Sequence, residues 1–151
     1  MSPPIAKLAS RDVITVPPEL MVDEVAAILL GGELDEVPVL DGAGKVIGRV
    51  TLGDLLRHKE GRDDLDEGTD DLPLDELRRG FQVHGIDRAT ARDVMSPPPP
   101  VLSDATPVDR AARRLARLGA SHALVSHRGR LVGELSTGAL LRWMAQNGGG
   151  R

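Results

Sequence analysis

The sequence predicts an α/β fold built from two similar halves packed about a pseudo-twofold axis. One observation is a nine-residue phrase that occurs twice, as GRVTLGDLL from Gly48 to Leu56 and as GELSTGALL from Gly133 to Leu141. A second is that the residues around both copies align without a gap, apolar opposite apolar, 85 positions apart. A third is that strand and helix patterns follow the same order in each copy. A unit of about 50 residues leaves one face of its sheet bare, so the two copies are expected to pack together.

The first repeat opens with a strand and a helix. The β-branched run from Val13 to Val16 predicts a short strand that ends at Pro17. Apolar residues then recur at helical spacing, with acidic residues at the start of the pattern and Gly31 and Gly32 after its end. The apolar stripe of this helix comprises Val22, Val25, Ala26, Ile28 and Leu29.

A hairpin and a second helix complete the first repeat. The segments Val37–Leu40 and Lys45–Val50 read as strands on either side of a glycine-containing turn at Asp41–Gly44. The second helix begins near Leu52. Each repeat is therefore expected to have the order strand, helix, strand, strand, helix.

The second repeat gives the same pattern. Val101 and Leu102 form its first strand, and Arg128 and Gly129 occupy its hairpin turn. Its first helix has an apolar stripe of Val108, Ala111, Ala112, Leu115 and Leu118.

The remaining segments read as connections. We expect repeats at residues 5–57 and 90–144, joined by an acidic linker at 58–89 and followed by a flexible tail at 145–151. The acidic run at 62–71 reads as a solvated loop, and a short helix with Leu74, Leu77 and Phe81 is expected to begin at Pro73.

Composition limits the functions available to the chain. With 151 residues, 40% of them apolar and 28% charged, it is typical of a soluble globular protein. A formal net charge of -4 gives no basic field for nucleic acid, and no apolar run is long enough to cross a membrane. The first residues, MSPPIAKLAS, lack the apolar block of a signal peptide. We therefore expect a cytoplasmic location, without nucleic-acid or membrane partners.

No pattern indicates catalysis or a metal site. The chain has no cysteine, and its four histidines, His58, His84, His122 and His127, share no metal-ligand spacing. It also lacks a nucleophile elbow, a P-loop and a glycine-rich dinucleotide fingerprint. The protein is expected not to be an enzyme and to require no cofactor.

Three segments occur in a fixed order around the repeats: VPVLDGAGKVIGRVT from Val37 to Thr51, the Gly-Asp-Leu helix start at Gly53, and DVMS from Asp93 to Ser96. Together they resemble the cystathionine-β-synthase (CBS) domain. Two such domains in tandem form a Bateman module. The resemblance implies a regulatory module that binds an adenosyl ligand, for example AMP, ADP, ATP or a compound like S-adenosylmethionine.

The resemblance also implies which residues bind the ligand. In this family each repeat ends in a glycine, a Ser or Thr three positions later and an Asp three positions after that, and the last two of these residues hold the phosphate side and the ribose. Gly48, Thr51 and Asp54 fit this pattern, and a carboxylate accepts hydrogen bonds from both ribose hydroxyls. With Phe81 and Trp143 its sole aromatics, the chain is expected to hold adenine by aliphatic and backbone contacts. The expected first site comprises Ser10, Val13, Val37, Pro38, Val39, Thr51 and Asp54.

The second repeat departs from the pattern. It keeps Gly133 and Ser136 but has Ala139 where the acid belongs. We therefore expect a degenerate second site with Ser96, His122 and Ser136, and about one ligand per chain. Asp35 and Glu36 stand where relatives place basic residues, so AMP, ADP or an uncharged-tail adenosine compound is favoured over ATP.

One alternative remains open at this point. The spacing of Thr51 and Asp54 is also that of a helix capping box. The chain could then be a structural dimerisation module with decayed nucleotide sites. Under either function we expect a homodimer, because Leu140, Leu141, Trp143 and Met144 form a nearly continuous apolar patch. The protein that such a module would regulate is unknown from the sequence.

Overall fold

The computed structural model describes residues 2–67 and 87–147 and confirms the α/β class with two repeats. Helices α1 and α2 span Val22–Gly31 and Leu52–Glu67, and α3, α4 and α5 span Ala91–Val94, Val108–Leu118 and Thr137–Asn147. Strands β1 to β5 span Glu36–Leu40, Val46–Thr51, Val101–Ser103, His122–His127 and Arg130–Ser136. A 3-10 helix at Ile5–Lys7 precedes them. The packing of the repeats about a pseudo-twofold axis stays a prediction.

The chain divides into two compact units that do not follow the order of the repeats. Unit 1 comprises Met1–Thr15, Leu40–Ile47 and Pro97–Arg151, and unit 2 comprises Val16–Val39 and Gly48–Ser96. The segment that opens each repeat in the sequence therefore belongs to the unit built mainly from the other repeat.

The hairpins form as the sequence predicts. Strands β1 and β2 make a two-stranded sheet, and β3, β4 and β5 make a three-stranded sheet in which β3 is parallel and β5 antiparallel to β4. In the first turn the Asp41 carboxylate accepts from the backbone N–H groups of Ala43 and Lys45, both at 2.9 Å. Gly44 has φ 85°, and the second turn has positive φ at Arg128 and Gly129. These left-handed positions explain the glycines in both turns.

The predicted strand at Val13–Val16 is wrong. Val16 makes a single parallel bridge to Val39, with its N–H donating to the Pro38 carbonyl at 3.0 Å. Pro17 and Pro18 follow, and proline has no N–H with which to continue a ladder. The pairing therefore stops after one residue.

Two expected loops are partly helical. Helix α2 continues to Glu67, through the start of the acidic run, because residues 57–67 contain strong helix formers and no proline. Helix α5 continues to Asn147, whose side-chain amide donates to the Trp143 carbonyl at 2.9 Å, so residues 145–147 are helical. The predicted helix after Pro73, with Phe81, and His84 lie outside the described residues.

The apolar patch predicted on the last helix splits into two faces. Leu140 is buried in the core of unit 1, and Trp143 packs partly buried against that core. Leu141 and Met144 are 66% and 45% exposed. Leu118 is also exposed, since it is the last residue of α4 before the left-handed Gly119. The core of unit 1 comprises Ile5, Leu102, Val108, Ala111, Leu115, Ala123, Val125, Leu135 and Leu140.

Candidate functional site

Thr51 and Asp54 close the first turn of α2 in unit 2. The Asp54 N–H donates to the Thr51 hydroxyl, and the Thr51 N–H donates to Asp54 Oδ2, both at 3.0 Å. This reciprocal pair is the capping box that the spacing predicts. Asp54 therefore has a structural role, whatever else it binds.

The Asp54 carboxylate has two further partners. Ser96 Oγ donates to Asp54 Oδ1 at 2.6 Å, and the Arg57 guanidinium donates to the same oxygen. Asp54 is only 4% exposed. Burial works to raise the pKa of Asp54, but the hydrogen bonds from Ser96 and Thr51 and the charge of Arg57 outweigh it and hold that pKa below its ordinary value. The carboxylate is thus ionised and fixed in orientation.

Gly48 explains how Ser96 reaches this carboxylate. Arg49 and Ser96 exchange two backbone hydrogen bonds of 3.0 and 2.8 Å, which place Met95 and Ser96 directly against β2. A Cβ added at Gly48 would lie 2.6 Å from Met95 Sδ and 3.0 Å from the Ser96 carbonyl oxygen. The glycine of the repeated phrase therefore makes room for the neighbouring segment.

The second repeat builds the same arrangement in unit 1 without the acid. Ser10 and Glu134 exchange two backbone hydrogen bonds of 2.8 Å, and a Cβ at Gly133 would lie 2.8 Å from the Ser10 carbonyl oxygen. The Ala139 N–H donates to Ser136 Oγ at 3.1 Å, which is half of a capping box. Ser10 therefore occupies in unit 1 the place that Ser96 occupies in unit 2.

The structure corrects the expected grouping of the site residues. Ser96, expected at the second site, contacts Asp54 in unit 2, whereas Ser10 and Val13, expected at the first site, belong to unit 1 with Ser136. The reason is that each extended entry segment pairs with the hairpin of the other repeat. The sequence carried a signal for this, since Ser10 and Ser96 precede equivalent strand positions of the two repeats.

The other expected site residues lie on strands. Val37, Pro38 and Val39 are buried on β1 of unit 2. His122 begins β4 of unit 1, and its Nδ1 lies 3.3 Å from Ser121 Oγ. Their contact with a ligand stays a prediction.

Two arginines lie beside the site but were not among the expected binding residues. Arg57 is one turn beyond Asp54, and Arg49 is on β2 two residues before Thr51, so the Arg49 and Thr51 side chains share a face of the strand. Arg49 Nη1 lies 3.5 Å from Glu36 Oε2 and neutralises that acid. Arg49 Nε is buried without a hydrogen-bond partner among the described residues. Positive charge is therefore present where acidic residues alone were expected.

A buried carboxylate ties α2 to the segment before the second repeat. Asp87 is 3% exposed and accepts from Lys59 Nζ at 2.8 Å, while His58 Nε2 lies 2.9 Å from the same oxygen. The Ala89 N–H donates to its other oxygen at 3.1 Å. Although burial alone would raise the pKa of Asp87, these bonds lower it to about 2. The cluster fixes the segment that leads to Ser96.

The CBS domain family model matches the chain twice, at residues 5–61 and 91–146. The CBS domain of a CBS-domain-containing membrane protein from Sphaerobacter thermophilus is 26% identical, with a TM-score of 0.65, over 93% of this chain and 87% of that chain. CBSX2 from Arabidopsis thaliana, a CBS-pair protein, is 24% identical, with a TM-score of 0.66, over 97% and 96%.

Two other solved structures of the same fold carry ligands. CBSX2 in complex with AMP is 23% identical to this chain, with a TM-score of 0.66, over 95% of this chain and 96% of that chain. The CBS domain pair of protein MJ0100, in complex with 5′-methylthioadenosine and S-adenosyl-L-methionine, is 18% identical, with a TM-score of 0.62, over 97% and 98%. In this protein, none of the helices that the structure describes has the length and apolar character needed to cross a membrane.

Proposed function

Because the chain belongs to the CBS-domain family and carries two of its repeats in tandem, we propose that it is a regulatory module that binds an adenine nucleotide and modulates a partner protein. The observation that carries this proposal is the Asp54 carboxylate, 4% exposed and held by donors from Thr51, Ser96 and Arg57. CBSX2 in complex with AMP and the MJ0100 pair with adenosyl ligands support the choice of ligand. The role is regulatory rather than catalytic, and the cytoplasm stays the predicted location.

The ribose takes the place of Arg57 on Asp54. The carboxylate accepts one bond at Oδ2 and two at Oδ1, so one acceptor direction remains at Oδ2. The Arg57 side chain is 72% exposed whereas the Asp54 side chain is 2% exposed, so water solvates the guanidinium once a ribose displaces it. The two ribose hydroxyls then donate to both carboxylate oxygens and replace the bond from Arg57. Ser96 remains as the group that orients the carboxylate.

The phosphate side favours a small charge. Arg49 neutralises Glu36, and a released Arg57 supplies a second cation near the start of α2. Asp35 keeps an exposed carboxylate next to Glu36. We therefore expect AMP, ADP or an adenosyl compound with an uncharged tail to bind more tightly than ATP.

The proposed site in unit 2 comprises Thr51, Asp54 and Ser96, with Val37, Pro38 and Val39 of β1 on the adenine side. Ser10, His122 and Ser136 form the corresponding set in unit 1, where Ala139 supplies no acceptor for ribose. We therefore expect about one bound nucleotide per chain. Trp143 packs partly buried against the core of unit 1, which leaves aliphatic and backbone groups for the adenine ring.

The module also forms a homodimer in this proposal. Leu56 on α2 and Leu141 on α5 occupy equivalent positions of the two repeats and are 62% and 66% exposed. Met144 adds a third exposed apolar side chain on α5. Helix surfaces with several exposed large apolar residues are typical of protein contacts.

One observation favours the alternative of a structural module without a ligand. The capping box at Thr51 and Asp54 is complete, so the acid would be useful even in a decayed site. Calorimetric titration of the full chain with AMP, ADP, ATP, S-adenosylmethionine and 5′-methylthioadenosine separates the two functions. If the protein is a nucleotide-binding regulatory module, at least one of these compounds should bind saturably, at about one molecule per chain. Absence of binding by all five would favour the structural module.

A further inference from the structure

A cleft in unit 1 is lined by none of the residues assigned above to nucleotide binding. Its volume is about 390 Å³, and it lies between the 3-10 helix, the residues after β3 and the β4–β5 hairpin. This volume is near the lower end of the range of about 300–1,000 Å³ that is typical of small-molecule sites. Its polar lining residues are Arg11, Asp104 and His127, and its apolar ones are Ala6, Ala9, Val125 and Val132.

The walls of the cleft are fixed by backbone hydrogen bonds. The Asp104 N–H donates to the Ser126 carbonyl at 2.8 Å, and the Asp104 carbonyl accepts from the Ala6 N–H at 3.1 Å. On β5, Val132 is the extra residue of a bulge, since Val125 pairs with Gly133 and Ser126 pairs with Leu131. Bulges often redirect a side chain next to a functional site. The residues that line the cleft are therefore held in place by backbone hydrogen bonds and by strand pairing.

Its charged groups are of opposite sign. His127 Nδ1 lies 3.0 Å from Asp104 Oδ2 and 3.3 Å from Oδ1, which holds the carboxylate in place. The Arg11 guanidinium has neither a hydrogen bond nor an ion pair with any residue that the structure describes. A simple anion would bind Arg11 but would be repelled by Asp104. A ligand with both a carboxylate and an ammonium group satisfies both side chains.

We propose that this cleft binds a small zwitterion of the aliphatic α-amino acid class, so that the module responds to a second ligand besides a nucleotide. The ligand carboxylate binds the Arg11 guanidinium in a bidentate manner, and its ammonium donates to Asp104. Its aliphatic side chain lies against Val125 and Val132, with Ala6 and Ala9 leaving the room that it needs. His127 positions Asp104 and does not contact the ligand charge directly.

Titration of the full chain with L-leucine tests this assignment, followed by chemical shifts of the backbone amides and by calorimetry. We expect saturable binding at millimolar concentration, with the largest shifts at Ala6, Arg11 and Val132. The probes 4-methylpentanoate, which lacks the ammonium, and 3-methylbutylamine, which lacks the carboxylate, are expected to bind at least about tenfold more weakly. Equal binding of leucine and 4-methylpentanoate, or no saturable leucine binding, would overturn the proposal.

Three variants and one control test the residues. Arg11→Gln and Asp104→Asn should each weaken leucine binding at least about tenfold, and Ala6→Leu should do so by filling the cleft without changing a charge. Arg128→Gln, next to His127 in the turn but not lining the cleft, is the matched control and should bind leucine as the parent does. Asp104→Asn should bind AMP unchanged, so failure of the nucleotide site and failure of this site are separable. Retention of leucine binding by all three variants would contradict the assignment.

Discussion

Ser96 Oγ donates a 2.6 Å hydrogen bond to Asp54 Oδ1 across 42 positions of the chain. The serine belongs to the segment that opens the second repeat, and the acid belongs to the repeated phrase of the first. The bond shows that the candidate site of unit 2 combines groups from both repeats. It also fixes the orientation of a carboxylate that is otherwise held by its own helix turn.

Replacing Ser96 with Ala tests this relationship. The change removes a donor from a buried carboxylate, so the free energy of unfolding should fall by about 1–3 kcal/mol. Affinity for AMP should also fall several-fold, because Asp54 loses its fixed orientation. Urea unfolding and calorimetry measure the two effects. Ser126→Ala is the matched control, and equal stability of both variants would show that the Ser96 bond contributes nothing.

Gly48→Ala should destabilise the chain by about 1–3 kcal/mol, because the added Cβ overlaps Met95 and the Ser96 carbonyl. Gly42→Ala is the control, since no atom lies within 4 Å of a Cβ at that position and its φ is not positive. Thermal unfolding compares the two. If both variants melt at the parent temperature, then Gly48 is not required for close packing.

Asp87 should make stability depend on acid pH. Its pKa is about 2 in the folded chain against an ordinary value of 3.8, so its contribution is complete above about pH 4 and is lost as the pH falls toward 2. This pKa difference corresponds to about 2 kcal/mol in the free energy of unfolding. Urea unfolding of the parent and of Asp87→Asn at pH 7, 4 and 2.5 should show a difference in the free energy of unfolding that narrows at the lowest pH. A difference independent of pH would contradict the pKa assignment.

The homodimer predicts a mass of about twice 16.1 kDa in light scattering at micromolar concentration. Leu141→Glu should shift the mass toward the monomer, because it places a charge on the exposed face of α5. Gln146→Glu adds the same charge to an exposed polar position of that helix and should leave the mass unchanged. A parent mass near that of a single chain would contradict the homodimer.

The sequence predicted those parts of the fold whose signals are local. The helix at Val22–Gly31 and both hairpin turns follow from residue periodicity and from glycine at left-handed positions. The pairing of Ser10 and Ser96 with opposite repeats did not follow, because it depends on contacts between distant segments. The capping box was visible from spacing alone, whereas the part played by Arg49 and Arg57 required side-chain geometry. The split of the α5 apolar patch also needed the core, which decides that Leu140 is buried and Leu141 exposed.

The most direct test of the nucleotide-binding claim is the thermal shift that AMP produces in the parent and in Asp54→Glu. Glutamate is the usual acid of a capping box, so this variant keeps the cap but moves the carboxylate away from ribose. At about a hundred times its dissociation constant, AMP should stabilise the parent by roughly 2.7 kcal/mol, a rise in Tm of about 5–10 °C. We expect Asp54→Glu to lose most of this rise, and to melt below the parent without AMP because its displaced carboxylate no longer accepts the Ser96 hydrogen bond in the same geometry. A full rise in Asp54→Glu would contradict it and leave Asp54 with its structural role alone.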